Sequence, residues 1–491
     1  MVMRRLFFSA ALAAVLLCVP SPSPAADAPP ADARLVKVVA LSRHGVRPPT
    51  QSAETLASWS SRQWPDWGIP PGHLSERGAA LIRAEWEGMR NALAFNGLLP
   101  ASGCPEEGSI FIYADNEERT LATARAMLEG LAPGCGMEVS SAPEGRDPVF
   151  HPVKSGFLPS PQLSAEERQE LARTVSAAGR DLEQSVAKIA SLLGPAPRFC
   201  VPGRDSCTLA DLPSRLHFPA PGSRQGVSLS GGLGTASTVA EILLLESLEW
   251  PEKAQAIAAE IPAPLPAGPG TPVERKAREI ILAPRADRPE EAPLPFAPRW
   301  KAAPMEENGE IMVNPRTALQ LLPVHTRLQS AVQRFPAVAR QEGLPLLSLM
   351  AESLAGTSPM KSADAARLVV FSGHDTNMVN IAGLLDLHWT NGLFPDDSTP
   401  PGSLLVLSLW ETPDGPMVQA SFLCQTPAAF LSTDPAVMRA SALHHAPLVL
   451  PGAYAHTPAG PAVPLEDFLS RVRSMTGSGL SARLAALLQH S

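Results

Sequence analysis

Leu35-Val36-Lys37-Val38-Val39-Ala40-Leu41-Ser42-Arg43-His44-Gly45-Val46-Arg47-Pro48-Pro49-Thr50 is a short apolar run that passes directly into a charged, stiff turn. Leu35 to Leu41 is nearly continuous in its hydrophobicity, the pattern of a strand covered on both faces. In the turn, two arginines bracket a histidine within five residues, while Gly45, Pro48 and Pro49 restrict the backbone to a tight loop. A guanidinium is a planar fork of donors that matches phosphate oxygens and stays charged at any relevant pH. An imidazole offers a nitrogen that can accept a phosphoryl group. Like-charge repulsion from the arginines is expected to lower the His44 pKa and keep a neutral nucleophile in acid.

Outward from this stretch, strand and helix signals alternate. A helix is predicted from about Ser75 to Ala94, with Ile82, Trp86, Met89 and Leu93 on one face. Ser109 to Tyr113 reads as a second strand. Asp115 reads as the cap of a following helix, with Glu118 completing a capping box and Leu121, Ala124, Leu128 and Leu131 as its buried stripe. In the last third, Leu368 to Phe371 is a strand, Asn377 to Leu387 a helix, and Leu404 to Trp410 with Met417 to Leu423 a hairpin across Pro413-Asp414-Gly415. The middle supplies helices near Ala165 to Leu193, Leu233 to Leu248 and Ala318 to Arg340. The chain therefore reads as an α/β domain built from both of its ends, residues 33–155 and 336–475, with a mainly helical domain inserted at 156–335. The chain has 53 prolines, about twice ordinary usage, and they crowd into an irregular insertion at 251–304. In open α/β sheets ligands bind beyond the carboxyl ends of strands, so the residues just after strands deserve inspection.

Two more such positions are informative. Asp115 with Glu118-Arg119-Thr120 follows the second strand, and Gly373-His374-Asp375-Thr376-Asn377 follows the strand near Leu368. Together with Arg43-His44-Gly45-Val46-Arg47, in this order and at these intervals, they resemble the signature of the histidine acid phosphatases, branch 2 of the histidine phosphatase superfamily. The resemblance spans essentially the whole chain after its leader, except the proline-rich insertion. It implies a phosphoglycerate-mutase-like α/β fold with a mixed central sheet flanked by helices. It also implies cleavage of phosphomonoesters through a phosphohistidine on His44, with Asp375 as the general acid. Arg43, Arg47, Arg119 and His374 would clamp the phosphate, and Thr50 would contact substrate. Cations that meet the charge on the phosphoryl oxygens make a metal or other cofactor unnecessary.

Glu241 and His325 more loosely resemble pocket positions of bacterial periplasmic phytases of this family. Gln51 stands where many of those phytases carry a lysine that meets a second phosphate. Phytate or smaller sugar phosphates are thus the expected substrates. A glucose-1-phosphatase-like specificity and a non-catalytic phosphate-binding homologue are the alternatives. Asp115 by itself is better read as a helix cap than as a catalytic group, and His444-His445 as a solvated loop feature. His374-Asp375 lacks the further ligands of a metal-dependent phosphohydrolase, and Gly231-Gly232-Leu233-Gly234 lacks the lysine of a nucleotide loop.

The first 25 residues read as a secretory leader: Arg4 and Arg5, the apolar run Leu6 to Val19, then small residues with cleavage after Ala25 or Ala26. The run is shorter than the ~20 residues a spanning helix needs. Losing both arginines and no acid moves the formal charge from -8 to -10. An acidic chain is a poor partner for nucleic acid or anionic membranes, so any phosphate affinity must come from a local cluster of arginines. A small phosphate ester is the expected ligand; the sequence does not give the oligomeric state, with a monomer favoured. Export permits disulfides. Cys200 and Cys207 flank a turn, and Cys104 and Cys135 enclose a strand and helix whose closure would contribute ~3 to 4 kcal/mol. Cys424 is left over, expected as a buried thiol.

Overall fold

The computed structural model describes residues 32–143, 145, 147–200, 207–253, 291–293, 311–390, 394–440, 443–476 and 479–488. The expected leader, and the proline-rich insertion apart from 251–253 and 291–293, lie outside the described residues. The elements that matter, in chain order, are β1 (Arg34–Arg43), α1 (Glu76–Phe95), β2 (Ile110–Ala114), α2 (Glu118–Leu131) and β3 (Ser140–Ser141). Next come α3 (Ala165–Asp181), α4 (Glu183–Leu193), β4 (Arg215–His217), β5 (Ser228–Ser230), α5 (Gly231–Glu249) and β6 (Glu291–Pro293). They are followed by α6 (Pro315–Gln333), α7 (Pro336–Ala355), β7 (Leu368–Gly373), α8 (Asp375–Leu385), β8 (Leu404–Thr412) and β9 (Gly415–Cys424). The chain ends with β10 (His444–Leu448), β11 (Ala455–Thr457), β12 (Gly460–Pro464), α9 (Leu465–Thr476) and α10 (Leu480–Leu488).

A mixed sheet runs β11-β12-β9-β8-β1-β7-β2-β3, with β10 also paired to β9. β1, β7, β2 and β3 are mutually parallel, whereas β8 joins β1 antiparallel. Apolar residues of β1 alternate between two cores. Val38 and Ala40 pack with Ile82, Trp86, Ile112 and Val370 under α1 and α2, while Val39 and Leu41 pack with Phe371, Leu346, Met350 and Met378 under α7 and α8. Burial on both faces is why β1 reads as a continuous run and not as an alternation. Trp86 is fully buried, and its truncation to alanine would cost about 3–5 kcal/mol.

A third core, formed by Val175, Val186, Ile189, Leu243, Leu321 and Leu328 among others, unites α3, α4, α5 and α6 beside a small sheet β5-β4-β6. Two segments expected as single helices are interrupted. Ala318 to Arg340 divides into α6 and α7 because Phe335 precedes Pro336 and is held extended, at φ -58°, ψ 128°. Ala165 to Leu193 divides at the buried Leu182, where φ, ψ of -96°, 5° leave the helical region. His444 and His445 lie in a strand and not in a solvated loop: they pair with Cys424 and Leu423 on β9, and His445 Nε2 meets Ser421 Oγ at 2.7 Å.

Cys104–Cys135 and Cys200–Cys207 form the two disulfides, with Cα separations of 5.5 and 4.8 Å. Cys424 is buried on β9, outside both. No helix among the described residues is long and apolar enough to cross a membrane.

Candidate active site

Parallel pairing of β1, β7 and β2 brings three sequence motifs to one sheet edge. Arg43 pairs with Gly373 and Ala114 with Ser372, so the residues that follow these strands emerge side by side. Two hydrogen bonds extend the pairing past the strand ends: His44 N–H to the Gly373 carbonyl, and Asp115 N–H to the Ser372 carbonyl, each 3.0 Å. The loop after β1 is pinned by Gly45 N–H on Thr123 Oγ1 at 3.0 Å and by Ser75 N–H on the Val46 carbonyl at 3.0 Å. A Cβ on Gly78 would stand 2.3 Å from Val46 O, so only glycine lets α1 press on this loop.

His44 is buried, and its Nδ1 lies 2.9 Å from the carbonyl of Gly45. A carbonyl can only accept, so Nδ1 carries the hydrogen and Nε2 keeps its lone pair. Arg47 Nε lies 3.4 Å from that Nε2. Burial first, then the charges of Arg47, Arg43 and Arg119, hold the imidazole well below its ordinary pKa. The expected direction holds, although burial outweighs the repulsion on which the expectation was based.

The sequence-predicted residues converge around this ring. Arg43 donates to the Thr399 carbonyl and pairs with Glu241, and its Nη2 is 3.5 Å from Asp375 Oδ2. Arg47 Nη2 lies 3.7 Å from the same Glu241 oxygen, Oε1. Arg119 approaches His374 Nδ1 at 3.5 Å, and His325 Nε2 is 3.6 Å from Asp375 Oδ2. Glu241 comes from α5 and His325 from α6, so the inserted helices complete the site that the sheet edge begins. Thr50 is exposed and stands at the rim, where a Cβ on Gly72 would meet Thr50 Cγ2 at 3.3 Å and Arg119 Nη1 at 3.7 Å.

The carboxylates are ionised at rest. Burial would raise Asp375, but the charge of Arg43, helped by the nearby His325 ring, holds it well below the carboxylate range. Burial likewise opposes ionisation of Glu241, and His325 and Arg43 outweigh it. For His325 burial favours the neutral ring, and the charges of Glu241 and the nearby Asp375 raise its pKa above the ordinary value.

Asp115 is not a helix cap. The cap of α2 is Glu117, whose side chain makes no capping bond, while the buried Asp115 carboxylate meets His374 Nε2 at 2.6 Å and His151 Nε2 at 2.8 Å. Burial would raise its pKa, but those two hydrogen bonds keep it ionised. An ionisable residue directly after a strand was the available signal for Asp115. The sequence around His151 carried none.

Two sets of side chains, Asp115-His151-His374 and Glu241-His325-Asp375, place three potential ligand atoms within 4.8 Å of one another. In the first set both imidazole Nε2 atoms are directed at one carboxylate oxygen, an arrangement of hydrogen bonds. The second set is threaded by Arg43.

A neutral imidazole with an unprotonated Nε2, ringed by guanidinium groups at the carboxyl edge of a parallel sheet, is a site suited to phosphoryl transfer. Residues 34–178 match the profile of the histidine phosphatase superfamily (branch 2). Phytase AppA of Escherichia coli (strain K12) is 29% identical over 413 residues, which cover 80% of this chain and 81% of that protein. Glucose-1-phosphatase of Salmonella typhimurium is 24% identical over 388 residues, covering 78% and 79%. The apo form of Hafnia alvei phytase superposes with a TM-score of 0.69 at 28% identity, over 92% of this chain and 99% of that one. By that match, residues 34–178 belong to branch 2 of the histidine phosphatase superfamily.

Proposed function

We propose that this chain is an exported, metal-independent acid phosphatase that hydrolyses phosphomonoesters through a phosphohistidine on His44, with phytate or a sugar phosphate as substrate. The observation that carries the reading is the His44 ring, held by Gly45 O with its unprotonated Nε2 facing Arg47. In the first step Nε2 forms a bond to phosphorus and the bond from phosphorus to the ester oxygen breaks. Arg43, Arg47 and Arg119 balance the charge on the three remaining oxygens. The departing oxygen takes a proton, and in the second step water displaces His44 and releases phosphate.

The ionised state of Asp375 at rest determines where that first proton originates. A phosphate monoester has its second pKa near 6, so in acid it enters as a monoanion that brings one proton. Arg43 then turns its charge toward the phosphate, Asp375 loses the counter-charge that kept it ionised, and the substrate proton can pass to it. Asp375 returns that proton to the leaving oxygen and, as a carboxylate, draws one from the attacking water.

Relatives that are phytases and glucose-1-phosphatases support both substrate classes, and Gln51 favours the smaller. The leader-like first 25 residues support export to the periplasm or beyond. The deciding experiment compares kcat/KM for phytate, glucose 1-phosphate and 4-nitrophenyl phosphate with the purified protein. Absence of phosphate release from all three would favour a binding protein over an enzyme.

A further inference from the structure

One oxygen of Asp115 serves two imidazoles. His374 Nε2 and His151 Nε2 stand 2.6 and 2.8 Å from Oδ2, and their rings lie 5.2 Å apart, inclined at 37°. The other oxygen, Oδ1, accepts from Asn116 N–H at 3.0 Å. Asp115 has no side-chain exposure, whereas 17% of the His151 side chain is open to solvent. His151 belongs to none of the three motifs. It arrives from the segment after β3, immediately before the short helix Pro152–Ser155.

A carboxylate only accepts, so both Nε2 atoms carry hydrogen when these bonds form. For His374 this fixes the tautomer and turns the Nδ1 lone pair toward Arg119, 3.5 Å away, on the phosphate side of the ring. A buried carboxylate that loses a donor is left partly unsatisfied and free to reorient. Partners one step removed set the orientation of working imidazoles in many sites.

We infer that His151 is a positioning residue for phosphoryl transfer: it holds the Asp115 carboxylate, which in turn fixes the ring and tautomer of His374. The inference rests on the phosphatase reading and deepens it. His151 acts only through Asp115.

The experiment compares His151→Gln, whose terminal amide can donate at nearly the reach of Nε2, with His151→Leu, which cannot donate. With 4-nitrophenyl phosphate, His151→Leu is expected to lose about tenfold or more in kcat with a smaller change in KM, and His151→Gln to return within about threefold of the wild type. The 15N signature of the His374 ring gives a second readout. A single Nε2–H tautomer is expected in the wild type and His151→Gln, and an averaged one in His151→Leu. Should His151→Leu fail to fold, His151→Met supplies the unbranched, donor-free side chain. Wild-type kinetics and an unchanged His374 ring in a folded donor-free variant would overturn the inference. So would His151→Gln being as poor as the donor-free variant while melting like the wild type. The ring measurement needs no turnover, so an inactive wild type would count against the phosphatase reading alone.

Discussion

Arg43 Nη2 and Glu241 Oε1 form an ion pair inside the site, with 3% and 13% of their side chains exposed. The resting protein thus meets part of its phosphate clamp with its own carboxylate, and an incoming phosphate competes with Glu241 for two arginines. Glu241→Gln removes the competitor and keeps the shape. Inorganic phosphate is expected to inhibit the variant roughly three- to tenfold more tightly, about 1 kcal/mol. Unchanged or weaker inhibition constants would show that Glu241 does not oppose binding.

His44→Ala is expected to abolish turnover of every ester. Phosphoramidates are acid-labile, so a labelled intermediate should be trapped by alkaline denaturation, with the label on histidine. Dialysis of the wild type against a chelator should leave activity unchanged, because arginines supply the counter-charge. Label on serine or aspartate, or activity restored by a divalent ion after chelation, would contradict the proposed chemistry.

The need for Asp375 should scale with how badly the leaving oxygen needs a proton. Asp375→Asn is expected to cost an alkyl phosphate such as a sugar phosphate ~10²-fold in kcat, and a nitrophenyl ester much less. Removing one negative charge beside the phosphate also improves binding slightly, so kcat and KM are to be measured separately. Equal losses for both esters would make Asp375 a residue that positions and not one that donates.

Gln51 is adjacent to Thr50 at the rim. Gln51→Lys is expected to raise kcat/KM for phytate several-fold more than for a monophosphate, since only the larger ester has a second phosphate for the ammonium to meet. A parallel change in both substrates would remove the residue from the account of specificity.

Asp147 provides a test of stability against pH. Its burial, opposed by the Val149 N–H, pushes the carboxyl up to about 6. A folded-state pKa above the unfolded one of about 4 means the stabilising contribution is complete below pH ~4 and is lost as pH rises through about 6. Asp147→Asn retains an oxygen for Val149 and removes the charging cost. The expected gain is on the order of 2 kcal/mol at neutral pH and little at pH ~4, read as the Tm difference at the two pH values. A gain independent of pH would refute this assignment.

Much of the site was legible because each motif follows a strand, and parallel pairing of those strands leaves their ends no other place to meet. His44, Arg43, Arg47, Arg119, His374 and Asp375 come together for that reason. Glu241 and His325 rested on looser patterns, because a helix repeats its apolar periodicity whether or not one polar residue points into a cleft. Asp115 was misassigned because Asp-x-x-Glu before an apolar stripe satisfies the local rule for a capping box. The tertiary pull of two imidazoles on one carboxylate is stronger than a cap bond and leaves no local trace. His151 was invisible for the same reason, since its partner is 36 positions away. The breaks at Leu182, with no proline near it, and at Phe335, just before Pro336, show the limit of periodicity, which continues through a kink.

The sheet order has a consequence for how the molecule comes into being. β1 is flanked by β7 and β8, and Leu368 lies 325 positions after Arg43. That separation leaves this buried strand without either neighbour until most of the chain is present. An unpaired edge of this kind readily joins another chain. The nucleophile also lacks its clamp throughout that interval, because His374 is not yet made and Glu241 and His325 have no sheet edge to close upon. Phosphatase activity therefore begins only when the last third of the polypeptide docks, and a chain cut short before β7 yields a sticky strand and no active enzyme.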